Sequence, residues 1–279
     1  MRAIDYQVIV GAVAKLCMEG NYDLGQDVVN ALQKGYETEA SAPGKDILNQ
    51  LIKNAEIAKT EQVPMCQDCG LAVVFVEMGQ DLTVNGGFIN DAITEGVIKG
   101  YEEGFLRKSA CDPFSRKNTG NNAPPIIHTE IVPGENLKIT VAPKGGGSEN
   151  MSAIAMLPPS AGIEGAKQFI VERVKQAGPN PCPPIVVGVG IGGNFEKCAL
   201  LAKKALLRNI GEKSPVKEVA EIEEDLLERI NKLGIGPGGL GGRITALGVA
   251  VEVHPCHIAS FPVAININCH AARHKSIVL

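Results

Sequence analysis

The chain has 279 residues, 44% of them hydrophobic, which is enough to bury a sizeable core in one large domain or two smaller ones. Its 27 Lys and Arg against 31 Asp and Glu give a formal charge of -4 with both signs mixed along the sequence, so no basic stripe can neutralise a row of phosphates and nucleic acid is not expected as a partner. Eight widely spaced cysteines without an export signal fit reduced thiols in a cytoplasmic protein better than four disulfides.

The first apolar stretch, residues 8–18, contains Lys15 and follows Asp5, and no small-residue cleavage pattern comes after it. It reads as an amphipathic helix rather than a signal peptide, and no membrane association is expected. From residue 5 to about 60 the apolar spacing is helical three times over, with breaks at Gly20-Asn21 and Ser41-Ala42-Pro43-Gly44, which predicts an all-helical N-terminal cap. The turn PMCQDCG feeds a predicted strand at 71–78, and 88–108 reads as a helix ending in Phe105-Leu106-Arg107. Alternation over 126–132 and 137–141, about Pro133-Gly134-Glu135-Asn136, predicts a hairpin whose second strand runs out into KGGGSEN. Helices follow at 163–176, 195–207 and 216–233, with a buried strand at 185–189 and further strands at 244–253 and 262–267. There is no internal repeat, and within a single 1–279 catalytic domain the glycine-rich 234–243 is the expected lobe boundary. The expected class is α/β: a helical cap on a mixed α/β domain with buried strands and the functional site on loops.

Cysteines divide by setting. Cys17 and Cys198 sit on predicted helices among apolar neighbours and read as small core hydrophobes, whereas Cys111 lies in a loop and is undecided. Cys66, Cys182 and Cys269 lie at turns or strand ends, where a side chain can be presented to a site. Three thiolates with no fourth suggest a soft metal centre left open on one side. Cys66 and Cys69 also form C-x-x-C, but a strand rather than a helix follows, which argues against a thioredoxin-type pair. A structural zinc site that recruits Cys256, His257, His270 or His274 is the alternative.

GVGIGG, from Gly188, matches a dinucleotide fingerprint after a predicted strand. The required second strand with its terminal acidic residue is missing from the 207–213 region, so the glycines read as a tight strand-to-helix turn. In KGGGSEN, Gly145, Gly146 and Gly147 offer a cradle of backbone N–H groups, with Lys144 adding positive charge.

Four motifs now stand together: P-x-C-Q-D from Pro64, K-G-G-G-S from Lys144, N-x-C-P-P from Asn180, and H-x-x-x-x-P-V-x-x-x-x-x-C-H-A-x-R from His257. Over nearly the whole chain they resemble the alpha subunit of class I iron-sulfur fumarate hydratases and the related tartrate dehydratase alpha subunit. The resemblance implies a [4Fe-4S] cluster on Cys66, Cys182 and Cys269, with the fourth iron open to a small dicarboxylate. It further implies that Gln67 holds substrate, Asp68 transfers a proton and Arg107 binds a carboxylate. His257 would touch substrate, and the Lys144, Gly145, Gly146, Gly147 loop would receive its other end. Single-chain relatives carry a second domain that completes the pocket, so a beta subunit and a hetero-oligomer are implied. Serine after the three glycines favours fumarate over L-tartrate. Two positions depart from the family pattern: Cys69 and Cys256 stand where threonine is common, and a threonine-like packing role is expected for Cys69.

Overall fold

In the computed structural model, which describes residues 2–279, the polypeptide passes four times between two units. The first comprises residues up to Leu24, Ala55–Gly146 and Arg273–Leu279, and the second comprises Gly25–Asn54 and Gly147–Ala272. Strand β1 (Arg2–Asp5) leads into helix α1 (Tyr6–Tyr22), whose start is set by the Asp5 carboxylate accepting the Gln7 N–H at 2.8 Å. α1 runs through Gly20 and Asn21, so the break expected there falls instead at 23–25. α2 (Gln26–Thr38) and α3 (Ala42–Glu61) follow. Pro43 lies in the first turn of α3, where a missing N–H costs nothing. The three expected helices therefore exist, within the expected α/β class: α1 belongs to the first unit, α2 to the second, and α3 crosses the division after Asn54.

In the first unit, β2 (Leu71–Gly79) and β3 (Leu82–Asn85) precede α4 (Ile89–Glu103). α4 crosses α1 closely because Gly96 and Gly100 present no side chain. A Cβ would lie 2.6 Å from the Val13 Cβ at Gly96, and 2.7 Å from the Ala14 carbonyl oxygen at Gly100. Gly104 caps α4, and Phe105 takes a positive φ of 51°. Arg107 therefore lies beyond the helix rather than at its end, the place expected from the sequence. β4 (Ile126–Val132) and β5 (Leu137–Lys144) match the expected strands, but they are not partners. The sheet order is β10-β5-β2-β4, with β10 at Lys275–Val278. β2 lies between the two supposed hairpin arms, parallel to β4 and antiparallel to β5. The turn after β4 is taken up by β2's own exit, where the Gly79 N–H donates to the Asn136 carbonyl and the Asp81 N–H to that of Gly134. Val74, Val76, Ile139 and Val141 of this sheet pack with Ile9, Val13, Ile93 and Val97 into one core.

The second unit holds a single helical turn, α5 (Gly146–Glu149, whose first residue belongs to the first unit), then β6 (Ala153–Leu157), α6 (Gly162–Ala177), β7 (Ile185–Gly192), α7 (Phe195–Ala205), α8 (Lys217–Asn231), β8 (Ala246–His254) and β9 (Phe261–Asn268). Its sheet order is β6-β9-β7-β8, with β7 and β8 parallel and the other pairs antiparallel. β7 is buried throughout, and its two faces differ by design of sequence. Val187 and Val189 pack toward Ile170 of α6 and Leu226 of α8. On the alternate positions a Cβ would lie 2.1 Å from the Ala202 carbonyl oxygen at Gly188 and 2.1 Å from that of Cys198 at Gly190. The glycines of GVGIGG thus let α7 lie directly against the strand, and the next strand in the chain, β8, begins only at Ala246. This is close packing without a dinucleotide unit.

The glycine-rich 234–243 segment lies within this second unit. It is fastened by Glu39, 2% exposed, whose carboxylate accepts the N–H groups of Ala40, Ser41, Arg243 and Ile244 at 2.7 to 2.9 Å. Burial pushes this carboxyl up, and the four donors outweigh it and hold its pKa below the ordinary value. Because the folded value is depressed, the stabilisation is present above the unfolded pKa and is lost as pH falls through the folded one. Glu39→Gln turns an acceptor into a donor facing N–H groups and is expected to destabilise the chain by about 2 kcal/mol near neutral pH, with the difference from wild type shrinking on acidification, measured by urea unfolding at several pH values. Among the described residues no helix is long and apolar enough to cross a membrane.

Candidate active site

Every candidate from the first unit converges on the PMCQDCG turn. Met65 is buried and donates its N–H to the Asn21 carbonyl, anchoring the turn behind α1. The Cys66 sulfur, half-buried, accepts the Asp68 N–H at 3.4 Å and lies 3.5 Å from the Gln67 side-chain oxygen. Asp68 spends both carboxylate oxygens on backbone: Oδ1 accepts the Gly70 N–H at 3.0 Å and Oδ2 the Gly146 N–H at 2.8 Å. One side chain thus ties the Cys66 turn to the Lys144 loop. The approach is so close that a Cβ at Gly70, where φ is +74°, would lie 2.6 Å from Lys144 backbone, so only glycine fits. Lys144 is itself buried, with Nζ 3.3 Å from the Gly145 carbonyl oxygen.

Cys69 lies in the same turn. It is 1% exposed, its sulfur accepts the Arg107 N–H at 3.2 Å, and its thiol lies 3.7 Å from the Cys66 carbonyl oxygen. Burial pushes the thiol up despite the Arg107 N–H and the Arg273 charge, so it remains protonated near neutral pH. Its burial and its contacts with backbone suit the threonine-like packing role expected for it. The backbone of the turn is held from beneath by Tyr101, whose hydroxyl donates to the carbonyls of Cys69 (2.7 Å) and Gly70 (3.1 Å). Asn122 donates to the Gly70 carbonyl and accepts the N–H groups of Ser109 and Ala110. These contacts fix the segment that carries the exposed Arg107. The guanidinium of Arg273 donates to the Asp68 carbonyl. Tyr101 and Asn122 carry no sequence signal of their own, whereas Arg273 closes the C-H-A-x-R motif and was legible there.

In the second unit, Cys182 is exposed with a positive φ of 55°. Its N–H donates to the Pro179 carbonyl at 3.0 Å and its own carbonyl accepts the His270 N–H at 3.4 Å. The backbones carrying Cys182 and Cys269 are therefore adjacent, with half-buried Cys269 directly after β9. His257 is exposed on the 255–260 loop, where its Nδ1 accepts the Ala259 N–H at 3.1 Å. In the neutral ring this puts the proton on Nε2. Gly147 is exposed on α5. Cys17 and Cys198 are fully buried with pKa values pushed up to about 12 by burial, as their core assignment requires.

The structure therefore brings Cys66, Gln67, Asp68, Arg107, Lys144, Gly145 and Gly146 into the first unit, and Gly147, Cys182, His257 and Cys269 into the second. Among the described residues no three His, Cys, Asp or Glu side chains are gathered as a ready-made metal site. The donor chemistry nevertheless fits an iron-sulfur group: Cys66, Cys182 and Cys269 are thiols outside any disulfide, none is buried, and Cys66 already receives the N–H···S bond that stabilises a thiolate.

A family model described as Fumarate hydratase (Fumerase) matches residues 10–278. A Methanocaldococcus jannaschii protein, whose name assigns it provisionally as L(+)-tartrate dehydratase subunit alpha, is 47% identical over 271 residues, 95% of each chain. The L(+)-tartrate dehydratase subunit alpha of Escherichia coli O157:H7 is 35% identical over 260 residues, 91% of this chain and 84% of the relative. That of Escherichia coli K12 is 34% identical over the same span.

Proposed function

This chain belongs to the fumarate hydratase (Fumerase) family, and on that premise we propose that it is the alpha subunit of a two-subunit iron-sulfur hydro-lyase that reversibly hydrates fumarate to L-malate. The observation that carries the reading is Asp68, whose carboxylate joins the Cys66 turn to the Lys144 loop and so sets an ionisable group between a thiol ligand and a carboxylate cradle.

Hydration adds hydroxyl to one olefinic carbon and a proton to the other, and nothing is oxidised or reduced. Cys66, Cys182 and Cys269 would hold the [4Fe-4S] cluster, which when bound supplies a Lewis acid for the substrate's oxygens. Arg107 and Lys144, with the N–H groups of the glycine loop, bind and orient the two carboxylates, which converts the addition into an effectively unimolecular step. Gln67 contributes amide hydrogen bonds to the same substrate. Asp68 carries the proton at a carboxylate oxygen: it gives it to carbon in hydration and takes it back in dehydration. His257 presents Nε2–H as a donor to substrate.

A second reading is supported by the relatives' names, which give L(+)-tartrate dehydratase. Both substrates are four-carbon diacids and loss of water is the chemistry of each, so the same residues serve. Steady-state assays of fumarate, L-malate and L-tartrate on one anaerobic preparation decide between them. A kcat/KM for fumarate or malate well above that for tartrate is expected, and the reverse order would assign the tartrate reaction.

Those relatives are also named as alpha subunits, which supports a beta partner here. The chain reconstituted with iron and sulfide alone is expected to show negligible turnover and to recover it when the partner is added. Full turnover by the isolated chain would contradict the two-subunit reading.

A further inference from the structure

Arg273 is 5% exposed, and a guanidinium stays charged at every pH the protein meets. One of its amino groups donates to the Asp68 carbonyl, its Nε is buried without a hydrogen-bond partner, and among the described residues it forms no ion pair. A buried cation is ordinarily paired, because the loss of hydration is not repaid by a single neutral acceptor. Among the described residues Arg273 thus meets a backbone carbonyl but no carboxylate within ion-pair distance, at the very turn that carries Cys66, Gln67 and Asp68.

We propose that Arg273 is an anion-binding residue of this site, its charge and Nε–H donor kept for an anion that the assembled enzyme holds beside the Asp68 turn. The inference rests on the hydro-lyase reading, which offers two sources of one chemistry: a carboxylate of the diacid, or the thiolate-bound iron-sulfur group, itself negatively charged. A residue that merely braced the Asp68 carbonyl would need one donor and no charge.

The test compares wild type with Arg273→Gln, which keeps a donor for the carbonyl and removes the charge, and with Arg273→Lys, which keeps the charge and loses the fork. Three quantities are read: iron and sulfide content of the anaerobic alpha-beta complex, its affinity for succinate as a diacid that cannot react, and the thermal midpoint of the metal-free chain. If the diacid is the anion, Arg273→Gln binds succinate about tenfold or more weakly with iron unchanged, and Arg273→Lys falls between. If the cluster is the anion, Arg273→Gln loses iron and sulfide together. In either case the metal-free Arg273→Gln chain melts no lower than wild type, because a buried unpaired charge has been removed. Wild-type iron together with wild-type succinate affinity in Arg273→Gln would overturn the inference, as would a lowered midpoint of its metal-free chain, which marks a structural brace. A wild-type complex that binds neither iron nor succinate would instead overturn the hydro-lyase reading.

Discussion

Asp68→Asn is expected to lower kcat by about a thousandfold while leaving iron content and visible absorbance at wild-type values. The amide cannot carry the proton that hydration delivers to carbon, and this loss falls on the chemical step. The substitution also has a geometric consequence. Both carboxylate oxygens now accept backbone N–H groups, from Gly70 and Gly146, so one end of the amide must face a donor with a donor. The Lys144 loop is expected to shift, and KM for the diacid rises as well. Cys66 keeps its sulfur, because the N–H bond it accepts comes from the backbone of residue 68 and survives the change. Asp68→Asn with full turnover would remove the residue from proton transfer. Loss of iron in the same variant would mean that it acts through the cluster ligand instead.

The second large effect is expected at Cys182. Cys182→Ser should reduce bound iron and sulfide to background in anaerobic preparations, because a hydroxyl is a hard, weakly acidic donor where a soft thiolate is needed. The backbone there is already committed, with the Pro179 and His270 hydrogen bonds made by main-chain atoms, so serine disturbs the ligand without disturbing the turn. Cys198→Ser provides the contrast. That thiol is buried and donates to the Gly190 carbonyl at 3.1 Å, a bond serine can also make, so iron is expected to stay at the wild-type level. Normal iron in Cys182→Ser would strike Cys182 from the ligand set.

Local periodicity gave nearly every helix and long strand, because those signals lie within one element: 163–176 and 185–189 against α6 and β7 are the clearest cases. What it could not give was pairing. The arms 126–132 and 137–141 carry proper turn residues between them, yet β2 separates them, since the pairing is decided by a strand from much earlier in the chain. Short edge strands such as β3 and β10 have too few residues to establish a period. The division of α1, α2 and α3 between two units was likewise invisible to a reading that takes helices in sequence order.

At the site, residue types in turn motifs were legible, and the contacts beneath them were not. Asp68 was picked out by its place after Cys66, but its bond to Gly146 joins residues far apart in the chain. Arg107 was assigned a helix end, and the positive φ at Phe105 carries it beyond the helix onto a segment pinned by Cys69 and Asn122. Tyr101 faces inward on α4 like any core aromatic, and only the structure shows its hydroxyl beneath the turn.

The most direct measurement is anaerobic iron, sulfide and zinc analysis of the chain co-expressed with its partner subunit. The expected result is a brown complex with about four iron and four sulfide per alpha chain and no stoichiometric zinc. A colourless complex carrying zinc, or none of these metals after reconstitution, would contradict the assignment of Cys66, Cys182 and Cys269 to an iron-sulfur cluster.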